Sequence, residues 1–322
     1  MTDVIEDQKI DVKSRFLRFN TLLAFIAAAI VIYIFLTRFD FSQVLDIIGK
    51  SNFLFYFFAF AVFYGFLPLR GHRWRKLLLE SEINLPTSEL SRIFYQAFFV
   101  NSILPARIGD IYRAYLLKKR RKISMSLSIG VLFSERIFDL ASIALLVLLG
   151  GIFYLDKVAS PEIRGYITTG LTAFGVIVIL FIIFSWRANL VDRFLPEKFR
   201  KYYESFKKGL FKSPKRIPAI LLESFIIWLS EAARLYFVAW ALGCQMDFLM
   251  AIFISQAALI IMTLPLTPAG LGLVELLMFA VLIPAGFSKE QAAAIVIADR
   301  LISYWLLIIF GAVHYIFSPR YR

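Results

Sequence analysis

Apolar stretches about as long as a bilayer is thick recur along the whole chain, and no other feature narrows its fold so far. The runs are Phe19 to Thr37, Asn52 to Leu69, Ile93 to Leu104, Ser126 to Leu155, Tyr166 to Trp186, Ile217 to Leu242, Ala251 to Leu266, Leu271 to Pro284 and Ala292 to Phe317. A helix needs about 20 such residues to cross the hydrocarbon core. The expected fold class is therefore an all-α polytopic membrane protein with about six transmembrane spans. Composition agrees, with 60% of the 322 residues hydrophobic and 16% aromatic, whereas soluble domains lie nearer about 45–50%. A soluble enzyme is excluded on that ground. The formal charge of +13 would suit nucleic acid, but the cations alternate with apolar runs as cytoplasmic loops do, so no nucleic-acid partner is expected. The single cysteine, Cys244, and the two histidines, His72 and His314, supply no disulfide, redox pair, haem site or zinc motif. No metal and no cofactor are expected.

Orientation follows from where Lys and Arg fall. Residues 1–18 are polar and end in Lys13, Arg15 and Arg18, and Thr37-Arg38-Phe39-Asp40 is unlike a small-residue cleavage site. The first helix is thus read as retained, with the N-terminus in the cytoplasm. Arg70, Arg73, Arg75 and Lys76 mark one cytoplasmic loop, Arg113 with Lys118 to Lys122 a second, and residues 187–216 a third, read as a basic interfacial segment. The connections around Asp40 to Lys50, Asp156 to Arg164, Asp247 and Lys289-Glu290 are poor in cations and are placed outside. The chain then divides into an N-terminal segment (1–18), a first membrane half (19–186), the basic segment (187–216) and a second membrane half (217–322). Because loops on both sides of 93–117 fall on one face, that segment is read as a re-entrant hairpin, broken at Pro105 and Gly109. Residues 251–284, broken at Pro265 and Pro268, are read as a second hairpin entering from the opposite face.

The two hairpins resemble one another. Pro105-Ala-Arg107-Ile-Gly109 matches Pro268-Ala-Gly270-Leu-Gly272 at an offset of 163, and Glu135-Arg136 matches Asp299-Arg300 at 164. The expectation is an inverted-topology repeat, an arrangement that in transporters places the substrate site at the broken segments near the midplane. Non-helical backbone is tolerated at that depth only inside protein or beside water.

The tips therefore supply the candidate substrate-binding residues. In the first, Asn101, Arg107, Asp110 and Arg113 surround the start of a half-helix, whose free N–H groups and dipole suit an anion; Arg107 suits a phosphate, and Asp110 and Arg113 are spaced to pair. In the second, Gly270 and Gly272 allow close backbone approach, and Glu275 is an acid in an apolar segment. No strand precedes the Gly-x-Gly, so it is no nucleotide loop. A charge network is expected from Glu135, Arg136, Asp139, Asp299 and Arg300, with Glu231 and Arg234 pairing at i, i+3. Adjacent residues on a helix point about 100° apart, so neither acid–arginine neighbour pair is expected to bond internally. No catalytic constellation is apparent.

The motifs Asn101-x3-Pro105-Ala-Arg107-x-Gly109-Asp110-x2-Arg113-Ala-Tyr-Leu-Leu, Glu135-Arg136-x2-Asp139 and Pro268-Ala-Gly-Leu-Gly272-x2-Glu275 resemble the flippase-like integral membrane family that shares the transmembrane region of lysylphosphatidylglycerol synthases. Family members commonly carry Glu where this chain has Asp110. The resemblance implies translocation of an anionic lipid, either a phospholipid or a polyprenyl-phosphate-linked one, between leaflets of the plasma membrane. It does not imply aminoacylation, for no aminoacyltransferase domain follows the last apolar run before Arg322. Membrane lipids are the expected partners, and both termini are placed in the cytoplasm. A homodimer and a lipid-modifying enzyme are left open as further partners. A solute or ion transporter on the same fold and a non-transporting scaffold are the competing readings.

Overall fold

The computed structural model describes residues 39–104, 107–158, 196–210, 216–263 and 267–317, with isolated positions between 26 and 37 and between 172 and 187. The expected spans Phe19 to Thr37 and Tyr166 to Trp186 lie outside the described residues apart from those isolated positions. Pro105, Pro265 and the segment 1–18 lie outside them altogether. The described residues are predominantly helical, with no strand among them.

Local sequence sets the helix ends. Asp40 accepts a hydrogen bond from the Ser42 amide (2.9 Å) and starts α1 (Phe41–Gly49) in the stretch expected to be an outside loop. Asn52 caps α2 (Phe53–Gly65) in the same way through the Leu54 amide (3.0 Å), and its own N–H donates to the Ala241 carbonyl (2.7 Å). Side-chain oxygens at this position satisfy N–H groups that the first turn leaves free. The chain restarts as α3 (Leu67–Leu79) because Pro68 cannot donate to the preceding turn, and proline is accepted in a first turn. Together α2 and α3 form the 27-residue helix Phe53–Leu79.

The structure corrects two expectations here. Arg70, Arg73, Arg75 and Lys76 stand on helix α3, not in a loop, and Arg70 and Arg73 are buried. The first hairpin is also longer than its apolar core: α4 runs Thr87–Ile103 and α5 Ile108–Arg121. Polar first-turn residues and the basic final turn, Lys118 to Arg121, extend the helices past the apolar run, and those cations complement the C-terminal dipole.

The longest helix, α6 (Met125–Val158), has 34 residues, about 51 Å at 1.5 Å per residue. Against it lies α7 (Glu197–Gly209), within the basic segment. Their backbones nearly touch where a Cβ on Gly130 would meet the Phe206 carbonyl and one on Gly209 the Leu127 carbonyl. Then follow α8 (Ile217–Ala241), α9 (Phe248–Thr263), a 3-10 turn at Pro268–Gly270, α10 (Leu273–Leu282) and α11 (Lys289–Arg300). Ser288 and Gln291 exchange capping hydrogen bonds at 3.1 and 3.0 Å to begin α11. A π turn, Leu301–Trp305, joins it to α12 (Leu306–Phe317).

Among the described residues three helices are long and apolar enough to cross a membrane: Phe53–Leu79, Met125–Tyr154 and Lys289–His314. Phe248–Ile260 and Pro268–Leu282 are shorter apolar helices. Helix α8 has the length but carries Glu223, Glu231 and Arg234. The main core joins α8 and α9 to α11, whose Ala292, Ala293, Ala294 and Ala298 permit the close helix contact that small residues provide in membranes.

Candidate functional site

A cavity of about 110 Å³ opens where α3, α4, α6, α8, α9 and α11 meet, with room for several water molecules. Its lining mixes apolar residues such as Phe98, Ile143, Leu259 and Met278 with a chain of arginines and carboxylates.

Helix α6 supplies Glu135, Arg136 and Asp139, with the two acids one turn apart. Arg73 on α3 donates to Asp139 (2.6 Å), Glu135 (3.0 Å) and the Ser224 hydroxyl (2.8 Å). Arg113 on α5 donates to the second oxygen of Glu135 (2.9 Å), and its guanidinium lies between the rings of Trp74 and Phe94, 4.5 and 4.6 Å from their centroids. Arg136 donates to Asp110 (3.0 Å) and Asp139 (3.1 Å). Arg70 bridges to Glu231 on α8 (2.6 Å) and lies 5.3 and 5.2 Å from the ring centroids of Phe98 and Trp228. Arg234 holds Glu231 and, through two nitrogens at 2.8 and 3.2 Å, Asp299. Arg300 donates to Glu275 (2.6 Å) and to the Ala269 carbonyl (3.2 Å). Charges buried this way persist only when each is paired and hydrogen-bonded, and arginine's planar fork allows one cation to hold two acids.

Neither acid–arginine neighbour pair bonds internally. Glu135 goes to α3 and α5 and Arg136 to the first hairpin, while Asp299 goes to α8 and Arg300 to the second hairpin. The pairs also match across the chain: Arg73 with Glu135 is answered by Arg234 with Asp299, and Arg136 with Asp110 by Arg300 with Glu275. Backbone repeats the correspondence, because Arg107 has φ 52° and Gly270, its counterpart at offset 163, has φ 70°.

The first hairpin closes around Gly109. A Cβ there would strike the Ala97 carbonyl, and the Gly109 amide donates to Asn101 (2.7 Å). Asn101 in turn donates to Asp110 (3.3 Å). Arg107, in the left-handed region at the head of α5, reaches Asp110 through Nε alone (3.2 Å). At the second hairpin Glu275 accepts from the Gly272 amide (2.7 Å) and fixes the turn.

Asn101, Arg107 and Asp110 therefore face the cavity, as do Glu135, Arg136, Asp139, Glu231, Arg234, Asp299 and Arg300. Arg113, Gly270, Gly272 and Glu275 stand behind the wall and position it. Asp110 pairs with Arg107 and Arg136, while Arg113, expected to pair with Asp110, pairs with Glu135. Sequence reasoning missed Arg70, Arg73, Trp228 and Thr267. The first two had a signal: Arg70, Arg73, Trp74, Leu77 and Leu78 repeat at helical spacing, a pattern a loop does not keep. His72 and Lys76, on the same helix, both meet Glu223 of α8 at 2.9 and 2.8 Å.

The chain matches the family model described as the lysylphosphatidylglycerol synthase TM region over residues 21–311. A UPF0104 membrane protein of Methanocaldococcus jannaschii is 33% identical over 227 residues, covering 69% of this chain and 95% of that protein. One from Pyrococcus horikoshii is 24% identical over 272 residues, covering 75% and 80%. The glycosyltransferase AglD of Haloferax volcanii is 27% identical over 330 residues, covering 89% of this chain and 53% of that protein. With a buried charge network held among apolar helices and a family match along nearly its whole length, the chain is a membrane protein that belongs to the lysylphosphatidylglycerol synthase TM-region family.

Proposed function

We propose that the protein is a lipid translocase, which moves an anionic phospholipid or a polyprenyl-phosphate-linked lipid between leaflets, and that it is not an enzyme. One observation carries this reading: a cavity lined by both apolar side chains and arginines sits beside two broken helical hairpins. A phosphate would meet Arg107 and the head of α5, while the tails stay in hydrocarbon. The hairpins 93–117 and 251–284 are read as re-entrant from opposite faces, in an inverted repeat of about six spans with both termini cytoplasmic in the plasma membrane. The matched ion pairs of the two halves support that reading. Partners are membrane lipids, with a second copy or a lipid-modifying enzyme as further ones.

The test is leaflet exchange in proteoliposomes, offering head-labelled phosphatidylglycerol and a short polyprenyl phosphate in turn. Protein-dependent exchange of either lipid, abolished in Arg107→Ala protein that melts like wild type, is the expected outcome. No exchange of either by correctly inserted protein would shift the reading to a solute transporter or a scaffold.

A further inference from the structure

We infer that Tyr304 links the tips of the two hairpins, so that they shift together as lipid passes, and that it is a positioning residue for translocation. The transport role rests on the lipid-translocase reading; the link itself does not.

Tyr304 belongs to the π turn, where the Leu306 N–H donates to the Leu301 carbonyl, and it is 2% exposed. Its ring clusters with Leu271 and Ala269, which flank Gly270 in the second tip. The Arg300 guanidinium lies 5.1 Å from the ring centroid and also holds Glu275 and the Ala269 carbonyl. The Tyr304 hydroxyl reaches the other hairpin and donates to the Ser102 carbonyl (3.1 Å). Ser102 stands in the last turn of α4, where carbonyls run out of donors along their own helix. Its neighbour Asn101 accepts from the Gly109 amide and donates to Asp110, which sets the head of α5 beside Arg107. One side chain therefore touches the second tip through its ring and the frame of the first through its hydroxyl.

A buried tyrosine hydroxyl needs an acceptor. If one tip moved without the other, that hydroxyl and the Ser102 carbonyl would both be left buried and unpaired, which costs more than the bond itself contributes. The segment bearing Tyr304 is braced in turn, because Tyr56 and Tyr64 of α2 donate to the Ala298 (3.0 Å) and Ile302 (3.1 Å) carbonyls. At offset 164 the counterpart of Tyr304 is Leu140, which has no hydroxyl, so the first half carries no duplicate of this bond.

The experiment combines amide hydrogen exchange with lipid binding and leaflet exchange on the full chain in lipid bilayers. Asn101→Ala frees the Gly109 amide and should speed amide exchange at the head of α5 in every background. In otherwise wild-type protein it should also speed exchange at the head of α10; with Tyr304→Phe that second effect should vanish. Tyr64→Phe, which removes a comparable hydroxyl-to-carbonyl bond at the same turn but touches neither tip, should leave it in place. Phosphatidylglycerol, a perturbation that removes no side chain, should slow amide exchange at both tips in wild type and at the first alone in Tyr304→Phe. That variant should bind phosphatidylglycerol as wild type does yet move it between leaflets several-fold more slowly, the factor an ordinary hydrogen bond carries. A second tip that ignores both perturbations in wild type, or responds undiminished in Tyr304→Phe, would overturn the inference. Equal losses in Tyr64→Phe and Tyr304→Phe would overturn it too, by assigning the effect to general stability. Coupled tips in a protein that moves no lipid would sink the translocase reading alone, and lipid movement with uncoupled tips would sink the link alone.

Discussion

Arg107 holds a backbone conformation that costs a residue bearing a Cβ about 1–2 kcal/mol, and its side chain makes a single hydrogen bond among the described residues. Strain retained at a residue with so little structural return accords with the phosphate-binding role proposed for Arg107. Arg107→Gly should therefore melt at or slightly above the wild-type temperature while losing lipid exchange. A clear drop in melting temperature would recast Arg107 as a structural residue. Arg73 is the opposite case. It is 1% exposed and neutralises Glu135 and Asp139 together, so Arg73→Ala should destabilise by about 3–5 kcal/mol, the usual result of stranding a buried partner. Lys50→Ala, which removes a pair exposed on both sides, should leave the melt unchanged. The motif acids and arginines were legible because charge is rare in apolar runs. Arg70 and Arg73 were not, since cations near a span end look the same whether they face water or turn inward to meet acids 62 to 161 residues away.

Among the elements, the two hairpins follow from Pro and Gly in short apolar runs, and their helices begin and end where polar residues continue the helical spacing. Helix α7 was read as interfacial from its cations, yet its docking on α6 depends on Gly130 and Gly209, whose meeting no local pattern announces. Gly130→Leu should release α7, seen as faster amide exchange over residues 197–209 with α8 unaffected. Gly109→Ala should be worse, since its Cβ has nowhere to go between the Ala97 carbonyl and Asn101. We expect lost lipid binding together with a lowered melting temperature. The π turn at Leu301–Trp305 is invisible in the sequence, because it conforms to the same apolar pattern as an ordinary helix. It follows directly on Asp299-Arg300, and such turns often mark functional sites.

At the scale of the whole molecule, the class was set by the apolar runs, and the charge network tied the halves together in a way that spacing alone left open. The inverted repeat makes a topological claim with a direct test. In a Cys244→Ser background, Lys122→Cys should react with an impermeant maleimide only from the cytoplasmic face and Lys289→Cys only from outside. Reaction of both from one side would refute the opposed hairpins.

The bridge between Arg70 and Glu231 bears on how such a chain could arise. These residues and their neighbours Arg73 and Arg234 keep the same spacing 161 residues apart, so on the duplicated reading they are counterparts. In an ancestral pair of identical half-length chains inserted in opposite orientations, the same side chain would confront itself there, and two arginines or two glutamates would repel. On that reading, fusion into one polypeptide would let the halves diverge until one carried the cation and the other the anion. A duplicate of either half alone should then fail to assemble, because the asymmetry that joins them now belongs to the covalent connection.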